Sequence, residues 1–467
     1  MLWTSEAAKY KSWKEGVVHT TLNPAGPGSV RIHLIPPKWR PLGKSPYIML
    51  LNGYYILPLG YSWAILLCGF IREINRYEGR PMDQKDMDKV IDAAVEDTRK
   101  AYRVPRQQLK DDLLEMLSML LDVARGKEPS GDVEPMSLRQ YAPHMTAPHR
   151  MDLMVSAMTK AGGIWNCNLK CRHCYAAGQK EAEVPELDTR QWKDIIDRLR
   201  EAGVPQLTFT GGEPTNRDDL AELVEYSRWF VTRLNTNGIR LTPQLCRRLY
   251  EASLDSVQVT LYSWDEETHN RLVGVPANPD TGFRKTVQGI TNALEAGLNV
   301  SVNTPLCRDN RDYQATLGYL KGLGICYVTC SGLIETGNAS SDTSASSQLS
   351  IEEMGEILKT AAAFCKDSAM ELSFTSPGRA DTDLLAQLGI SVPMCGACLS
   401  NMAVAPDGGV VPCQSWLGGG DVLGNLCTGS WKKIWNSRAC ANIRSMSGEE
   451  SLLCPLRKNR FPKGDDT

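Results

Sequence analysis

Along the first quarter of the chain, short apolar runs give way to apolar residues recurring at helical spacing. Residues 30–35 predict a strand. Tyr47–Leu51 and residues 54–57 flank Asn52-Gly53, a pair suited to the two φ > 0 positions of a type I′ hairpin. Helical patterns follow at 61–72, 82–102 and 106–124. In the last of these, Leu109, Leu113, Leu114, Leu117, Leu120 and Leu121 predict one buried face. Residues 48–71 are apolar, but Asn52-Gly53, Pro58 and Gly60 interrupt them. A membrane-spanning helix needs about 20 uninterrupted apolar residues, so none is expected here. Residues 126–150 carry scattered breakers, including Pro129, Gly131, Pro135, Pro143 and Pro148, and predict a linker.

Beyond that linker the pattern alternates. Strands are expected at 155–165, 206–210, 232–236, 256–261, 300–304 and 327–330, with helices between them at 189–201, 218–229, 243–252, 283–296 and 313–323. Asp188 with Gln191 predicts a capped helix start, and Thr242-Pro243 predicts another. Repeated strand–helix units force parallel strands with right-handed crossovers. Six strands are fewer than the eight that close a full barrel, so the fold class is α/β, a partial barrel or open sheet. A Ser/Ala-rich connection at 338–347 precedes a capping box at Ser350-x-x-Glu353. A cysteine-bearing region runs from about 393 onward.

The length of 467 residues suggests about three domains. Lys+Arg total 52 against 54 Asp+Glu, so no basic excess asks for a nucleic-acid partner. The 15 cysteines change the picture more. Residues 1–15 lack the apolar core of a signal peptide, so a cytoplasmic location with reduced thiols is expected. Reduced cysteines in tight clusters point to metal or redox chemistry.

Cys167, Cys171 and Cys174 lie in a C-x3-C-x2-C run just after the first barrel strand, at the sheet edge where parallel α/β proteins carry their sites. That spacing can hold three irons of a [4Fe–4S] cube, leaving one iron open. Zinc, which takes four protein ligands, is the competing reading. Thr210-Gly211-Gly212-Glu213-Pro214 ends the second strand, where glycines allow close backbone approach and the carboxylate can meet an ammonium group. Asn235-Thr236-Asn237-Gly238 ends the third.

The cysteine triplet with Gly211-Gly212-Glu213-Pro214 on this strand–helix pattern resembles the radical S-adenosylmethionine (SAM) enzymes. The resemblance implies a partial (β/α)6 barrel in which Cys167, Cys171 and Cys174 hold a [4Fe–4S] cluster. SAM would chelate the open iron and be cleaved to a 5′-deoxyadenosyl radical that takes a hydrogen atom from the substrate. It implies that His173 lies near the adenine, that Gly211, Gly212 and Glu213 meet the methionine amino group, and that Thr260, Arg271 and Asn303 contact SAM. The fourth strand reads Val259-Thr260-Leu261-Tyr262, a departure from the commoner Ser-x-Asp-Gly.

Cys395, Cys398 and Cys413, with Cys454 beyond, flank a Pro406-Asp407-Gly408-Gly409 turn and resemble the SPASM/twitch extension of these enzymes. Arg457 stands where a partner for Cys454 would fall, so one auxiliary iron–sulfur cluster is expected on Cys395, Cys398, Cys413 and Cys454, with zinc as the alternative. Cys68, Cys246, Cys307, Cys326, Cys330 and Cys365 are expected to be buried or partly buried thiols, and Cys427 and Cys440 are left unassigned.

The front module resembles by pattern the winged-helix-like peptide-recognition element (RRE) that binds leader peptides of ribosomally made, modified peptides (RiPPs). The expected organisation is an RRE-like module at 1–127, a linker at 128–150, a radical SAM barrel at 151–335, connecting helices at 336–392 and a SPASM/twitch domain at 393–467. Together these imply a peptide maturase that binds a precursor peptide by strand addition and forms a thioether or carbon–carbon cross-link, or epimerises a residue. An electron donor such as flavodoxin or ferredoxin would be its partner, with neither nucleic acid nor membrane. The alternatives are a SPASM-type enzyme acting on a protein side chain or a tetrapyrrole, and a non-catalytic iron–sulfur or zinc scaffold.

Overall fold

The computed structural model describes residues 18–22, 30–37, 39–40, 43–44, 46–77, 80–124, 127, 135–160, 163–275, 282–340, 346–418, 422–446 and 452–456. The chain divides into two compact units. The first comprises residues 1–149 with 197–206 and 227–231, and the second the remainder.

The first unit is built on an antiparallel sheet of four strands in the order β1 (Val18–Leu22), β2 (Val30–Ile35), β3 (Tyr47–Leu51) and β4 (Tyr55–Leu59). Three strands were expected. The extra one, β1, reads VHTTL, and its polar composition gives no alternating apolar signal. Asn52 (φ 51°) and Gly53 (φ 62°) form the turn that their sequence predicts. The returning strand starts at Tyr55, because Tyr54 sits in the turn and is 77% exposed. Pro58 is tolerated because β4 is an edge strand.

Three helices cover the sheet: α1 (Tyr61–Ile74), α2 (Gln84–Ala101) and α3 (Arg106–Ala124). Asp83 caps α2 by accepting the Asp86 N–H at 2.8 Å. Gly69 lets α1 approach the Ala94 backbone of α2, where an added Cβ would lie 3.3 Å away. Leu109, Leu113, Met116 and Leu120 enter the core with Leu34, Met49, Phe70 and Ile91. Leu114 and Leu121, expected on that buried face, are instead 44% and 49% exposed, since they project beside the stripe at 109, 113, 116 and 120. Part of the predicted linker is structured. Ser137 and Gln140 form a capping box at Leu138–Tyr141, and Met136 N–H donates to Ile56 O at 2.7 Å. Pro129 and Gly131 lie outside the described residues.

The second unit carries a ten-stranded sheet. Its strands are β5 (Arg150–Ser156), β6 (Gln206–Gly211), β7 (Val231–Thr236), β8 (Ser256–Thr260), β9 (Val300–Leu306), β10 (Tyr327–Gly332), β11 (Glu371–Phe374), β12 (Asn401–Val404), β13 (Gly409–Val411) and β14 (Gly424–Asn425). Their order is β11-β10-β9-β8-β7-β6-β5-β12-β13-β14. The pairings of β7 with β8, β8 with β9, β9 with β10 and β10 with β11 are parallel. The six-strand expectation is therefore extended by β11, whose four residues are too few to give a periodic signal. β12 also pairs in parallel with β5, in the register Asn401↔Arg150 to Val404↔Leu153. The first barrel strand begins at Arg150 and ends at Ser156, earlier than expected. Met151–Ser156 are all buried, so no alternation marks them, and the apolar residues beyond form a small hairpin of Thr159–Lys160 with Ile164–Trp165.

Capping at Asp188/Gln191, Thr242 and Ser350/Glu353 is as expected. The helix α4 (Glu266–Val273), absent from the expectation, closes on Gly274 at φ 70°. No helix among the described residues is long and apolar enough to cross a membrane.

Candidate functional site

The site is built on the loop that follows the small hairpin. Lys170 N–H donates to Val273 O at 3.1 Å and Arg172 N–H to Leu272 O at 2.9 Å, so the last turn of α4 pins the loop. Asn338 secures it from another side, donating from its backbone to Cys174 O and from its side chain to Cys171 O. Cys167, Cys171 and Cys174 consequently line one cavity of about 490 Å³. Burial pushes the Cys167 thiol up to about 12 and the Cys171 and Cys174 thiols above their ordinary value, and the other two thiols raise Cys171 further. Three half-buried thiols lining one cavity become thiolates together only where cations offset their charge. The donor set thus fits an iron cluster.

Glu213 faces the same cavity and is 1% exposed. Its Oε1 accepts the Thr215 N–H (3.0 Å), the Thr215 hydroxyl (2.6 Å) and the Thr236 hydroxyl (2.6 Å), and its Oε2 accepts the Asn237 N–H (2.9 Å). Burial still raises its carboxyl above the usual range, against the pull of those hydrogen bonds. Oε2 keeps a lone pair for a ligand cation. Gly211, at φ 141°, passes so close to β5 that a Cβ there would meet Ser156 O at 2.2 Å. The Gly212 N–H donates to Ser156 O at 2.7 Å.

His173 is 5% exposed, lines the cavity, and has no partner for either ring nitrogen among the described residues. Burial and then Arg172 lower it to about 4, so the ring is neutral and suited to packing on a flat ligand. Thr260 and Asn303 are cross-strand neighbours and also line the cavity. Arg271 is not brought there. It is half exposed on α4 and pairs with Asp309 at 3.5 Å, and it is absent from the cavity lining.

The second cysteine group separates in two. Cys395, Cys413 and Cys454 line the cavity, and Cys395 and Cys454 both raise Cys413, which burial pushes up to about 12. Cys398, held at φ 56°, points instead to Cys440, which also receives an N–H from Arg444 at 3.3 Å. The Arg444 guanidinium lies 3.8 Å above the Trp435 ring. Cys440 was unassigned from the sequence, and only a contact across 42 residues reveals it. Cys427 is exposed, and so is Cys326, against the expectation of burial. Arg457 lies outside the described residues.

The cavity also has residues that sequence reasoning missed. Thr208, Arg233, Gln258, Tyr327 and Thr329 project into it from β6, β7, β8 and β10. The available signal was alternation: SVQVT puts polar side chains on one face and valines on the other, and Arg233 and Asn235 share a face opposite Leu234.

Comparisons with known proteins match two stretches of the chain. Residues 166–320 match the radical SAM superfamily, and residues 395–456 match SPASM, an iron–sulfur cluster-binding domain. An AdoMet-dependent heme synthase of Oleidesulfovibrio alaskensis is 32% identical over 45% of this chain and 53% of its own length. The Fe-coproporphyrin III synthase of Methanosarcina barkeri is 32% identical over 48% and 56%. The mycofactocin maturase MftC of Mycobacterium tuberculosis is 35% identical over 31% and 36%. The chain thus spans about half the length, or less, of these curated relatives. Among solved structures, Streptococcus suis SuiB bound to its precursor peptide SuiA aligns at TM-score 0.56 with 12% identity, over 86% of this chain and 88% of SuiB. SuiB bound to S-adenosylmethionine aligns at 0.56 with 15% identity, over 88% and 90%. The radical SAM domain implies a [4Fe–4S] cluster and SAM, and the SPASM domain implies auxiliary iron–sulfur clustering. The chain carries a radical SAM domain followed by a SPASM iron–sulfur domain.

Proposed function

We propose that the protein is a radical SAM maturase that modifies a ribosomally made precursor peptide. The observation that carries this reading is the N-terminal unit. Its sheet and three helices precede both matched domains, and the shared fold with SuiB, which was solved with its precursor peptide, extends over 86% of this chain. A sheet with open edges can accept an extended leader peptide as a further strand.

In this reading Cys167, Cys171 and Cys174 hold the SAM cluster, and Cys395, Cys413 and Cys454, which share the cavity, hold one auxiliary cluster, while Cys398 turns toward Cys440. The bound cluster and SAM supply one-electron hydrogen-abstraction chemistry. The protein's part is placement. Glu213 accepts the ligand's ammonium, its own charge held by Thr215, Thr236 and Asn237. Gly211 and Gly212 let the ligand reach the strand end, and neutral His173, with Thr260 and Asn303, bounds the pocket. A flavodoxin- or ferredoxin-type protein delivers the electron, and the maturase works in the cytoplasm.

The test is anaerobic reconstitution with iron and sulfide, followed by 5′-deoxyadenosine measurement with SAM and a reductant. Mass spectrometry then follows modification of the precursor peptide by the full chain and by a form lacking residues 1–127. Unchanged peptide affinity in the shorter form overturns leader binding. A second reading, an enzyme acting on a tetrapyrrole, is favoured by the two 32%-identical relatives. Turnover of iron coproporphyrin III, with no peptide modified, would establish it.

A further inference from the structure

On one wall of the cavity two guanidiniums, Arg150 and Arg233, face one buried carboxylate, Asp152. Arg379 is paired with Glu335, and Arg150 with the buried Asp152 at 2.8 Å. Glu213 is held by its four hydrogen bonds. Arg233 differs. It projects from β7 into the cavity, its Nε donates only to the Ser256 hydroxyl at 3.3 Å, and no carboxylate among the described residues lies within ion-pairing distance. Burial, and then the charge of Arg150, lower its guanidinium below the ordinary value.

A second observation points the same way. Thr208, 1% exposed, has a hydroxyl with no partner among the described residues. It lines the same cavity as Arg233. A half-buried guanidinium whose nearby carboxylate, Asp152, is already paired with Arg150, and a buried hydroxyl without an acceptor among the described residues, are each costly, and one anion that accepts hydrogen bonds satisfies both.

We propose that Arg233 and Thr208 form a carboxylate-binding subsite that anchors the substrate by an acid group inside the barrel. The planar fork of the guanidinium takes two carboxylate oxygens side by side, and the threonine hydroxyl donates to one of them. This rests on the cavity being the substrate site of the radical SAM reading. A carboxylate is common to a peptide terminus or acidic side chain and to a tetrapyrrole propionate, so the subsite alone does not choose between them.

The test is propionate binding to the reconstituted full chain, by saturation-transfer NMR, with propionamide as control. The wild type binds propionate and not propionamide. Arg233→Gln weakens propionate by about tenfold or more, Arg233→Lys retains part of the affinity, and Thr208→Val lowers it less than Arg233→Gln. Iron content and circular dichroism check that each variant is folded, and the isosteric Thr208→Val keeps the test open if Arg233→Gln does not fold. Displacement of propionate by iron coproporphyrin III, but not by its tetramethyl ester, assigns the acid to a tetrapyrrole. Displacement by trialanine, but not by trialanine amide, assigns it to a peptide. Equal binding of propionate and propionamide, unchanged binding in Arg233→Gln, or no binding by the wild type overturns the subsite. So does an Arg233→Gln protein whose cluster spectrum shifts while propionate binding stays the same. Wild-type 5′-deoxyadenosine formation is measured separately, so failure of the radical reading and failure of the subsite are distinct results.

Discussion

Glu213 depends on neighbours from two strand ends: Thr215 from its own loop, and Thr236 and Asn237 from the next. Glu213→Gln would keep most of the shape but set an amide donor against the Asn237 N–H, at a cost of about 1–3 kcal/mol. SAM affinity, measured by equilibrium dialysis, is expected to fall by about tenfold or more, with little loss of iron. Cys167→Ala is expected to remove the barrel cluster and abolish 5′-deoxyadenosine formation. These residues were legible because their spacing is local: the cysteine triplet spans eight positions and the glycine–glutamate motif three. Arg271 stands apart: it pairs with Asp309, 38 residues on, and does not line the cavity. Arg233 and Thr208 were overlooked because an arginine or threonine in a strand carries no signature until its neighbours are known.

At the scale of elements, the parallel strands were readable and their ends less so. β1 and β11 were missed because one is polar and the other has four residues. The end of β6 explains why a glycine is needed there. Gly211→Ala would place a methyl group against Ser156 O, at 2.2 Å before relaxation, so the backbone must move. A loss of a few kcal/mol in stability and of SAM cleavage is expected, readable by thermal melting and product assay. The sheet of the first unit makes a different prediction. His33 is fully buried on β2, its ring 6.0 Å from that of His19 and 5.8 Å from that of Trp229. Burial lowers both histidines, His33 well below 6.5 and His19 to about 3. The unfolded chain therefore binds more protons below about pH 6.5, so stability is full above that pH and falls as pH drops through it, by up to ~1.4 kcal/mol per pH unit for His33. Denaturant unfolding at pH 7.5 and 5.5 checks this, and His33→Leu should flatten the difference.

For the whole molecule, the proposed ligand set sets a number. One barrel cluster and one auxiliary cluster amount to about eight irons per chain, and Cys413→Ala should lower that to about four while SAM cleavage persists. The cavity joins both cysteine groups although Cys174 and Cys395 are 221 residues apart, a convergence that sequence order could suggest only through family resemblance. The same distance matters during synthesis. β5 finds its β12 partner only at Asn401, 251 residues after Arg150. At about 5–20 residues per second, the edge of the first barrel strand stays uncovered for roughly 13–50 seconds as the chain leaves the ribosome. An uncovered strand edge invites pairing with other chains. Slower translation or a lack of chaperones should therefore cost yield before it costs activity, and every cysteine of the auxiliary group emerges only as that edge is being sealed.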